Sequence, residues 1–123
     1  TEVIKLMLNK SINIKNASVL ILGVSFKENC PDFRNTKVID IIEELIEFKA
    51  KVTAVDPWVN AVDFHNEYGI KIFNEIPKLK FDCIILAVPH HQFLELNLKT
   101  LLNENGILYD IKGLRGKEAD GGL

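Results

Sequence analysis

The chain has 123 residues, of which 47% are hydrophobic, and a formal net charge of −2. This length is enough for one compact core and too short for two ordinary domains. Because 15 lysines and arginines nearly balance 17 aspartates and glutamates, the chain lacks the global basic field that would hold nucleic acid or an anionic membrane nonspecifically. Any recognition of phosphate must therefore be local.

The cysteines and the hydropathy pattern indicate the compartment. The chain has two cysteines, no signal-peptide pattern and no apolar run near 18 residues, which together predict a reduced, soluble, cytoplasmic protein. Cys30 lies in a predicted loop and Cys83 in an apolar strand. They form no C-x-x-C pair, so no metal site is predicted.

The two ends of the chain differ from its middle. Residues 2–9 have the pattern of a helix with no N-cap ahead of it, and the first residue is Thr1 rather than Met. We therefore expect a piece of a longer protein, with residues 1–15 as the end of an interdomain helix. Residues 115–123 are glycine-rich and aperiodic and are predicted to form a flexible tail. The folded domain is predicted at residues 16–114.

The middle of the chain alternates between two periodicities. Apolar, β-prone runs predict five strands, and amphipathic or short helical segments separate most of them. The strands are predicted at 19–22, 51–56, 70–73, 82–88 and 106–111, and the helices at 36–49, 60–68, 91–94 and 98–103. Right-handed crossovers then give an α/β fold, a three-layer, Rossmann-like, doubly wound parallel sheet ordered 3-2-1-4-5 with a leading N-terminal helix.

This strand order predicts where a ligand binds. The first and fourth strands are neighbours at the topological switch point, so the loop at residues 23–36 meets the segment after Val88 and the end of the fifth strand. Lys27 and Arg34 bring positive charge to this loop, and the helix that begins near Thr36 adds free N–H groups. The loop is predicted to bind phosphate, although it lacks the GxGxxG fingerprint of dinucleotide-binding domains.

The loop sequence F-K-E-N-C-P-D-F-R-N-T at 26–36, followed by V-D-P-W at 55–58, resembles the C-terminal, UDP-binding domain of the UDP-glucose/GDP-mannose dehydrogenase family. Within the family it is most similar to the branch that oxidises UDP-N-acetylhexosamines (UDP-GlcNAc or UDP-ManNAc) to uronic acids for surface polysaccharides. The resemblance extends from the leading helix to about Leu114.

The resemblance implies an NAD-dependent UDP-sugar 6-dehydrogenase that works as a homodimer. The whole enzyme would oxidise the sugar C6 alcohol in two hydride transfers, through a thiohemiacetal and a thioester on a cysteine in an upstream segment that this chain does not contain. NAD would be bound mainly by an N-terminal domain that is also missing here. The chain alone is therefore expected to bind the UDP-sugar substrate and to be non-catalytic.

The resemblance also implies roles for four residues. Phe26 and Lys27 match the Phe-Lys pair that contacts the UDP-sugar, and Arg34 matches the arginine that approaches NAD in the dimer. Lys112 stands just after the last strand, where family members often have an arginine that contacts the nucleotide. A lysine can meet a phosphate there as a point charge but cannot form a planar, bidentate fork.

Three further polar residues have more than one interpretation. Asp32 could orient Arg34 or cap the following helix, and a structural role of this kind is favoured. Asp56 stands where a true dinucleotide-binding domain has its ribose-binding acid, but without the glycine fingerprint a turn at Asp56-Pro57 is favoured. Cys30 could be a nucleophile, but no neighbouring histidine is implied and a proline follows, so a structural or incidental role is favoured.

The aromatic and histidine residues near the same edge also leave alternatives open. His90 and His91 are adjacent, so their side chains should point in different directions and are not expected to share a metal. A helix start or a dimer contact is favoured over direct contact with substrate. Trp58, Phe64 and Tyr68 are interpreted as core or subunit interface rather than as a platform for base stacking.

A second function, from a different class, fits the same fold. The chain could be a free-standing α/β module that binds a nucleotide or a partner and has no redox role. A gene with about 300 further upstream residues, an extrapolation from family size and the usual domain length, would favour the enzyme.

Overall fold

The computed structural model describes residues 2–34, 36–111 and 121–122. Helices and strands alternate along the chain after a leading helix. The helices are α1 Glu2–Asn9, α2 Val38–Glu47, α3 Ala61–Tyr68, α4 His91–Leu94 and a 3₁₀ helix at Leu98–Leu101; the strands are β1 Ser18–Leu22, β2 Lys51–Val55, β3 Ile72–Phe73, β4 Phe81–Leu86, β5 Leu102–Asp110 and β6 Gly121–Gly122.

All the strands of the described sheet are parallel, in the order β3-β2-β1-β4-β5-β6. The predicted five strands and their order are confirmed. In register, Leu22 at the end of β1 stands between Val55 and Leu86. β1 and β4 are therefore neighbours, and their carboxyl ends open on the same edge.

The sheet has one strand that the sequence pattern did not indicate. β6 pairs with Tyr109 and Asp110 of β5, inside the segment predicted to be a flexible tail. Two glycines have no side chains to show a strand period, so the pairing comes from backbone hydrogen bonds alone. Residues 112–120 and 123 lie outside the described part of the chain.

Each face of the sheet is covered by its own apolar layer. Side chains of β1 alternate between them, since Val19 and Ile21 pack with α2 and α3 while Leu20 and Leu22 pack with α4 and the 3₁₀ helix. The largest buried side chains include Phe64 on the first face. The strands are therefore buried on both faces, which explains why they read as continuous apolar runs.

Element ends follow local chemistry where the sequence supplies it. Asn60 caps α3 by accepting a hydrogen bond from the N–H of Asp63 at 3.0 Å, and Gly69 ends it in the left-handed conformation at φ 70°. The helical segment predicted at 98–103 is shorter, because Leu102 instead pairs with Phe81 and begins β5. No described helix has both the length and the apolarity needed to cross a membrane.

Candidate functional site

A cavity of about 380 Å³ opens at the carboxyl edge of the sheet, between the loop after β1 and the segments after β4 and β5. This is the switch point that the strand order predicts. The cavity is lined by Ser25, Phe26, Lys27, Glu28, Thr36, Lys37, Val38, Ile41, Ala87, Val88 and Ile111. We refer to it as the carboxyl-edge cavity.

Gly23 makes the close approach of two cavity walls possible. It follows β1 directly with φ at 98°, and a Cβ built there would lie 2.5 Å from Cβ of Val88 and 2.7 Å from its carbonyl oxygen. Its N–H donates to the carbonyl of Val55 at 2.8 Å. Glycine is therefore required both by the backbone conformation and by the space next to Val88.

The cavity has a positive character. Among the described lining residues, Lys27 and Lys37 are accompanied by one carboxylate, Glu28. The first residue of α2, Val38, also lines it, and the N-cap residue Lys37 makes no side-chain capping bond to the helix. The N–H of Val38 donates to Oγ1 of Thr36 at 3.4 Å. The helix N-terminus still carries a partial positive charge, so the cavity suits an anion such as a phosphate.

Phe26 and Lys27 stand at the mouth of the cavity with outward side chains. Phe26 is 60% exposed, which is unusual for a phenylalanine. Its N–H donates to the carbonyl of Asp32 at 2.6 Å. Lys27 is exposed too, so both side chains are accessible to a ligand while their backbone is held by the loop.

Arg34 lies on the same loop but outside the cavity lining. Its Nε and Nη2 donate to the two carboxylate oxygens of Asp32 at 3.0 and 2.9 Å, and its backbone N–H donates to Oδ1 at 2.9 Å. The Arg34 hydrogen bonds lower the pKa of Asp32 to about 2. Of the two roles considered for Asp32, the structure therefore shows that it orients Arg34.

Lys112, the fourth sequence-predicted site residue, lies outside the described residues. Its neighbour Ile111 lines the carboxyl-edge cavity, and the N–H of Ile111 donates to the carbonyl of Leu86 at 3.1 Å. The end of β5 is thus part of the edge where the sequence predicts it.

Asp56 is a residue whose importance the sequence interpretation missed. Its side chain is fully buried behind the loop after β1. Oδ2 accepts hydrogen bonds from the N–H groups of Val24 at 2.8 Å and Ser25 at 3.1 Å. Oδ1 accepts from those of Trp58 at 2.8 Å and Val59 at 3.1 Å. The predicted turn at Asp56-Pro57 exists, but the same carboxylate also ties β2 to the loop.

The charge of Asp56 is compensated locally. Burial raises the pKa of this carboxyl, but hydrogen bonds from His90 and from backbone N–H groups outweigh it, so the net shift is downward. A buried aspartate directly after one strand, next to a loop of backbone donors, is a signal that the sequence contained. The order of the strands in the sheet was needed to identify the N–H groups that donate to this aspartate.

His90 is the second residue that the sequence interpretation undervalued. Its ring is fully buried, with Nε2 2.9 Å from Oδ2 of Asp56 and 3.2 Å from Oγ of Ser25. Nδ1 accepts a hydrogen bond from the N–H of Asn29 at 2.8 Å. His90 is the N-cap residue of α4, so it stands at the expected helix start, although its side chain makes no capping hydrogen bond to that helix.

The adjacent His91 has different surroundings, as expected for neighbouring side chains. It is exposed, and its N–H donates to Oδ1 of Asn29 at 3.0 Å. Trp58 is half-buried, lies near both histidine rings and donates from Nε1 to Gln92 at 3.1 Å. Cys30 is half-buried and forms no disulfide.

The remaining aromatic residues belong to the core rather than to the cavity. Phe64 is fully buried, and Tyr68 packs against it with ring centroids 4.9 Å apart. Phe33 of the loop meets both rings, at 5.2 Å from Phe64 and 6.0 Å from Tyr68. The core interpretation of Phe64 and Tyr68 is confirmed.

A second cavity of about 410 Å³ lies at the opposite, amino edge of the sheet. Its lining includes Lys10 and Lys15 but also Asp82 and Glu104, so its lysine and carboxylate charges balance. The N–H of Ser18 already donates to Asp82 at 2.9 Å. The two cavities thus have similar volumes but differ in charge. Of these two, only the carboxyl-edge cavity combines an excess of positive charge with a helix N-terminus.

Known proteins identify the domain to which this edge belongs. Residues 20–116 match the family model for the UDP-glucose/GDP-mannose dehydrogenase family, UDP binding domain. The chain belongs to this family. The match includes the loop, both buried residues Asp56 and His90, and the end of β5, so the carboxyl-edge cavity lies within a UDP binding domain.

Among curated relatives, UDP-N-acetyl-D-glucosamine 6-dehydrogenase of Salmonella typhi is 44% identical over 114 residues, which are 90% of this chain and 27% of that protein. The enzyme of the same name from Pseudomonas aeruginosa is 44% identical over 117 residues, or 93% and 28% of the two chains. The chain thus spans just over a quarter of the length of these relatives.

The fold has close counterparts among solved structures. The NDP-N-acetyl-D-galactosaminuronic acid dehydrogenase from Methanosarcina mazei Go1 superposes with a TM-score of 0.77 at 18% identity, over 98% of this chain and 27% of that one. At this identity the likeness establishes the fold alone.

Proposed function

We propose that this domain binds the nucleotide of a UDP-sugar in the carboxyl-edge cavity, as part of an NAD-dependent UDP-sugar 6-dehydrogenase that oxidises a UDP-N-acetylhexosamine to its uronic acid for polysaccharide synthesis. One observation carries the proposal. Two lysines and the N-terminus of α2 converge on a cavity whose mouth is formed by an exposed Phe-Lys pair. The relatives named UDP-N-acetyl-D-glucosamine 6-dehydrogenase support this choice of sugar.

Each site residue then has a distinct role. The ammonium group of Lys27 meets the diphosphate or the sugar oxygens, and the ring of Phe26 covers an apolar face of the ligand. Lys112 meets the nucleotide from the end of β5 as a point charge. Lys37, which the sequence interpretation did not single out, adds a second cation to the cavity wall.

In the described part of the chain, the loop after β1 does not form a backbone cradle for the NAD diphosphate. In a dinucleotide-binding domain the backbone N–H groups after the first strand face the phosphates. Here those of Val24 and Ser25 donate to Asp56 instead. NAD would therefore be held mainly by another domain, and Arg34 would approach it from the loop surface within a homodimer.

Calorimetric titration of the chain with UDP, UDP-N-acetylglucosamine, GDP and NAD tests the proposal. We expect UDP and its sugar conjugate to bind with similar affinity, GDP more weakly and NAD without detectable heat. Binding of NAD in preference to UDP, or no binding of UDP, would contradict it. For Arg34, kinetics of the whole enzyme provide the test: Arg34→Ala should raise KM for NAD more than KM for the UDP-sugar.

A further inference from the structure

We propose that Asp56 and His90 are positioning residues for the nucleotide-sugar site, holding the inner loop, defined as residues 24–29, in the conformation that presents Phe26 and Lys27. The inference rests on the proposed function, because it assigns a cause to the geometry of that same site. Neither side chain lines the carboxyl-edge cavity, so each would act through the loop rather than by touching the ligand.

The first step is the anchoring of the loop entrance. Asp56 Oδ2 accepts the N–H groups of Val24 and Ser25, while Oδ1 accepts those of Trp58 and Val59. One buried carboxylate therefore fixes the chain directions after two neighbouring strands. Since hydrogen bonds to a charged group are stronger than neutral ones, this is a stiff link.

The second step is the tautomer of His90. Because the N–H of Asn29 donates to Nδ1 at 2.8 Å, Nδ1 carries no proton, and the proton of the neutral ring lies on Nε2. There it faces Oδ2 of Asp56 at 2.9 Å. His90 thus accepts a hydrogen bond from Asn29, at the end of the inner loop, and donates one to Asp56, which holds the beginning of that loop.

The hydroxyl of Ser25 gives independent support for this assignment. It donates its only proton to the carbonyl of Lys27 at 2.8 Å, so at its 3.2 Å contact with His90 Nε2 the oxygen must accept. Both neighbours of Nε2 are therefore acceptors. The hydrogen bonds agree with one another only when Nε2 is protonated.

From Ser25 onward, these bonds fall on alternate residues of the inner loop. Ser25, Lys27 and Asn29 are each tied to the buried network through backbone groups, whereas the side chains of Phe26 and Lys27 stay exposed. Ordering a residue's backbone costs about 1–2 kcal/mol. A loop already ordered before binding avoids much of that penalty, so the network should increase affinity without contacting UDP.

The test compares the UDP dissociation constants of three forms of the chain by calorimetry: wild type, His90→Gln and the matched control His65→Gln, which makes the same substitution on the exposed surface of α3. Glutamine can donate to Asp56 but cannot at the same time accept from Asn29 in the geometry of the ring. We expect about tenfold weaker UDP binding for His90→Gln, as for the loss of one such bond, and no change for His65→Gln.

Two further measurements separate positioning from mere stability. Nitrogen chemical shifts of the His90 ring in the wild type should show the Nε2-protonated neutral tautomer, and hydrogen exchange of the Asn29 amide should be much faster in His90→Gln. The Nδ1-protonated tautomer, or unchanged exchange at Asn29, would overturn the inference, and neither readout requires a ligand.

The outcomes for the two proposals differ. If wild type binds UDP and folded His90→Gln binds it equally well, the positioning role is wrong and the proposed function stands. If wild type does not bind UDP, the proposed function is wrong and the inference fails with it. If His90→Gln does not fold, two measurements on the wild type provide the test instead: the tautomer of His90 and the hydrogen-exchange protection of the Asn29 amide. An Nδ1-protonated ring or a weakly protected Asn29 amide would overturn the inference.

Discussion

The two parts of the loop after β1 are held in place by different physical means. The inner loop, residues 24–29, is tied by buried hydrogen bonds to Asp56 and His90. The outer loop, which we define as residues 30–34, is anchored by packing of Phe33 on α3 and carries an exposed Asp32–Arg34 ion pair. Polar anchors fix backbone positions closely, whereas the exposed pair adds little to stability. The difference indicates that the backbone of the inner loop is held in position more closely than that of the outer loop.

The largest effect expected from this comparison is on stability. Asp56→Ala should lower the free energy of unfolding by about 3–5 kcal/mol, because it leaves His90 and four backbone N–H groups, three of them buried, without their acceptor. Asp32→Ala removes a carboxylate from the outer loop and should leave stability unchanged within error. Urea denaturation of both variants measures the contrast, and equal losses would show that the two parts do not differ in this way.

The next effect concerns binding by the inner loop. Lys27→Ala should weaken UDP binding by about 1.5–3 kcal/mol, the range for a hydrogen bond that involves a charged group, and should leave the fold intact. Lys15→Ala is the control, since Lys15 lines the amino-edge cavity instead. Calorimetry with UDP decides the matter. Wild-type affinity in Lys27→Ala would remove that lysine from the site.

A smaller effect concerns Lys112, the residue that the sequence predicts to meet the nucleotide after β5. Lys112→Met, similar in length but uncharged, should weaken UDP binding by about 1–2 kcal/mol, and the loss should shrink at high salt because exposed charges are screened. Lys112→Arg should preserve or tighten binding. Titrations at low and high salt measure both variants. Indifference to Lys112→Met would exclude the end of β5 from the proposed site.

The smallest effect is confined to the outer loop. Arg34→Ala should raise the pKa of Asp32 from about 2 toward its ordinary value, since the hydrogen bonds from Arg34 are what lower it. A carbon-detected NMR titration of the side-chain carboxyl measures the shift. UDP affinity of the chain should stay the same. A change in UDP affinity would mean that the outer loop also contributes to the nucleotide site.

The fold was largely predictable from the sequence because its signals are local. Runs such as 19–22 are apolar on both faces, and Gly69 marks the end of a helix through its own backbone conformation. β6 was not predictable, since Gly121 and Gly122 have no side chains to carry a period and pair only because β5 lies beside them. The periodicity of apolar residues indicates which side chains are buried, and a pair of glycines has no side chains that could show such a period.

The candidate site was predictable only in part. The Phe26-Lys27 pair could be located from its motif and from the strand order, and the structure places it at the mouth of the carboxyl-edge cavity. Asp56 and His90 stand 34 positions apart, and nothing local in the sequence pairs them. The sequence by itself therefore determined where the first five strands form and which loop carries the cationic residues, because these depend on neighbouring residues. Only the tertiary structure decided what holds that loop in place, because the parallel sheet brings the ends of three strands that are distant in sequence to one buried point.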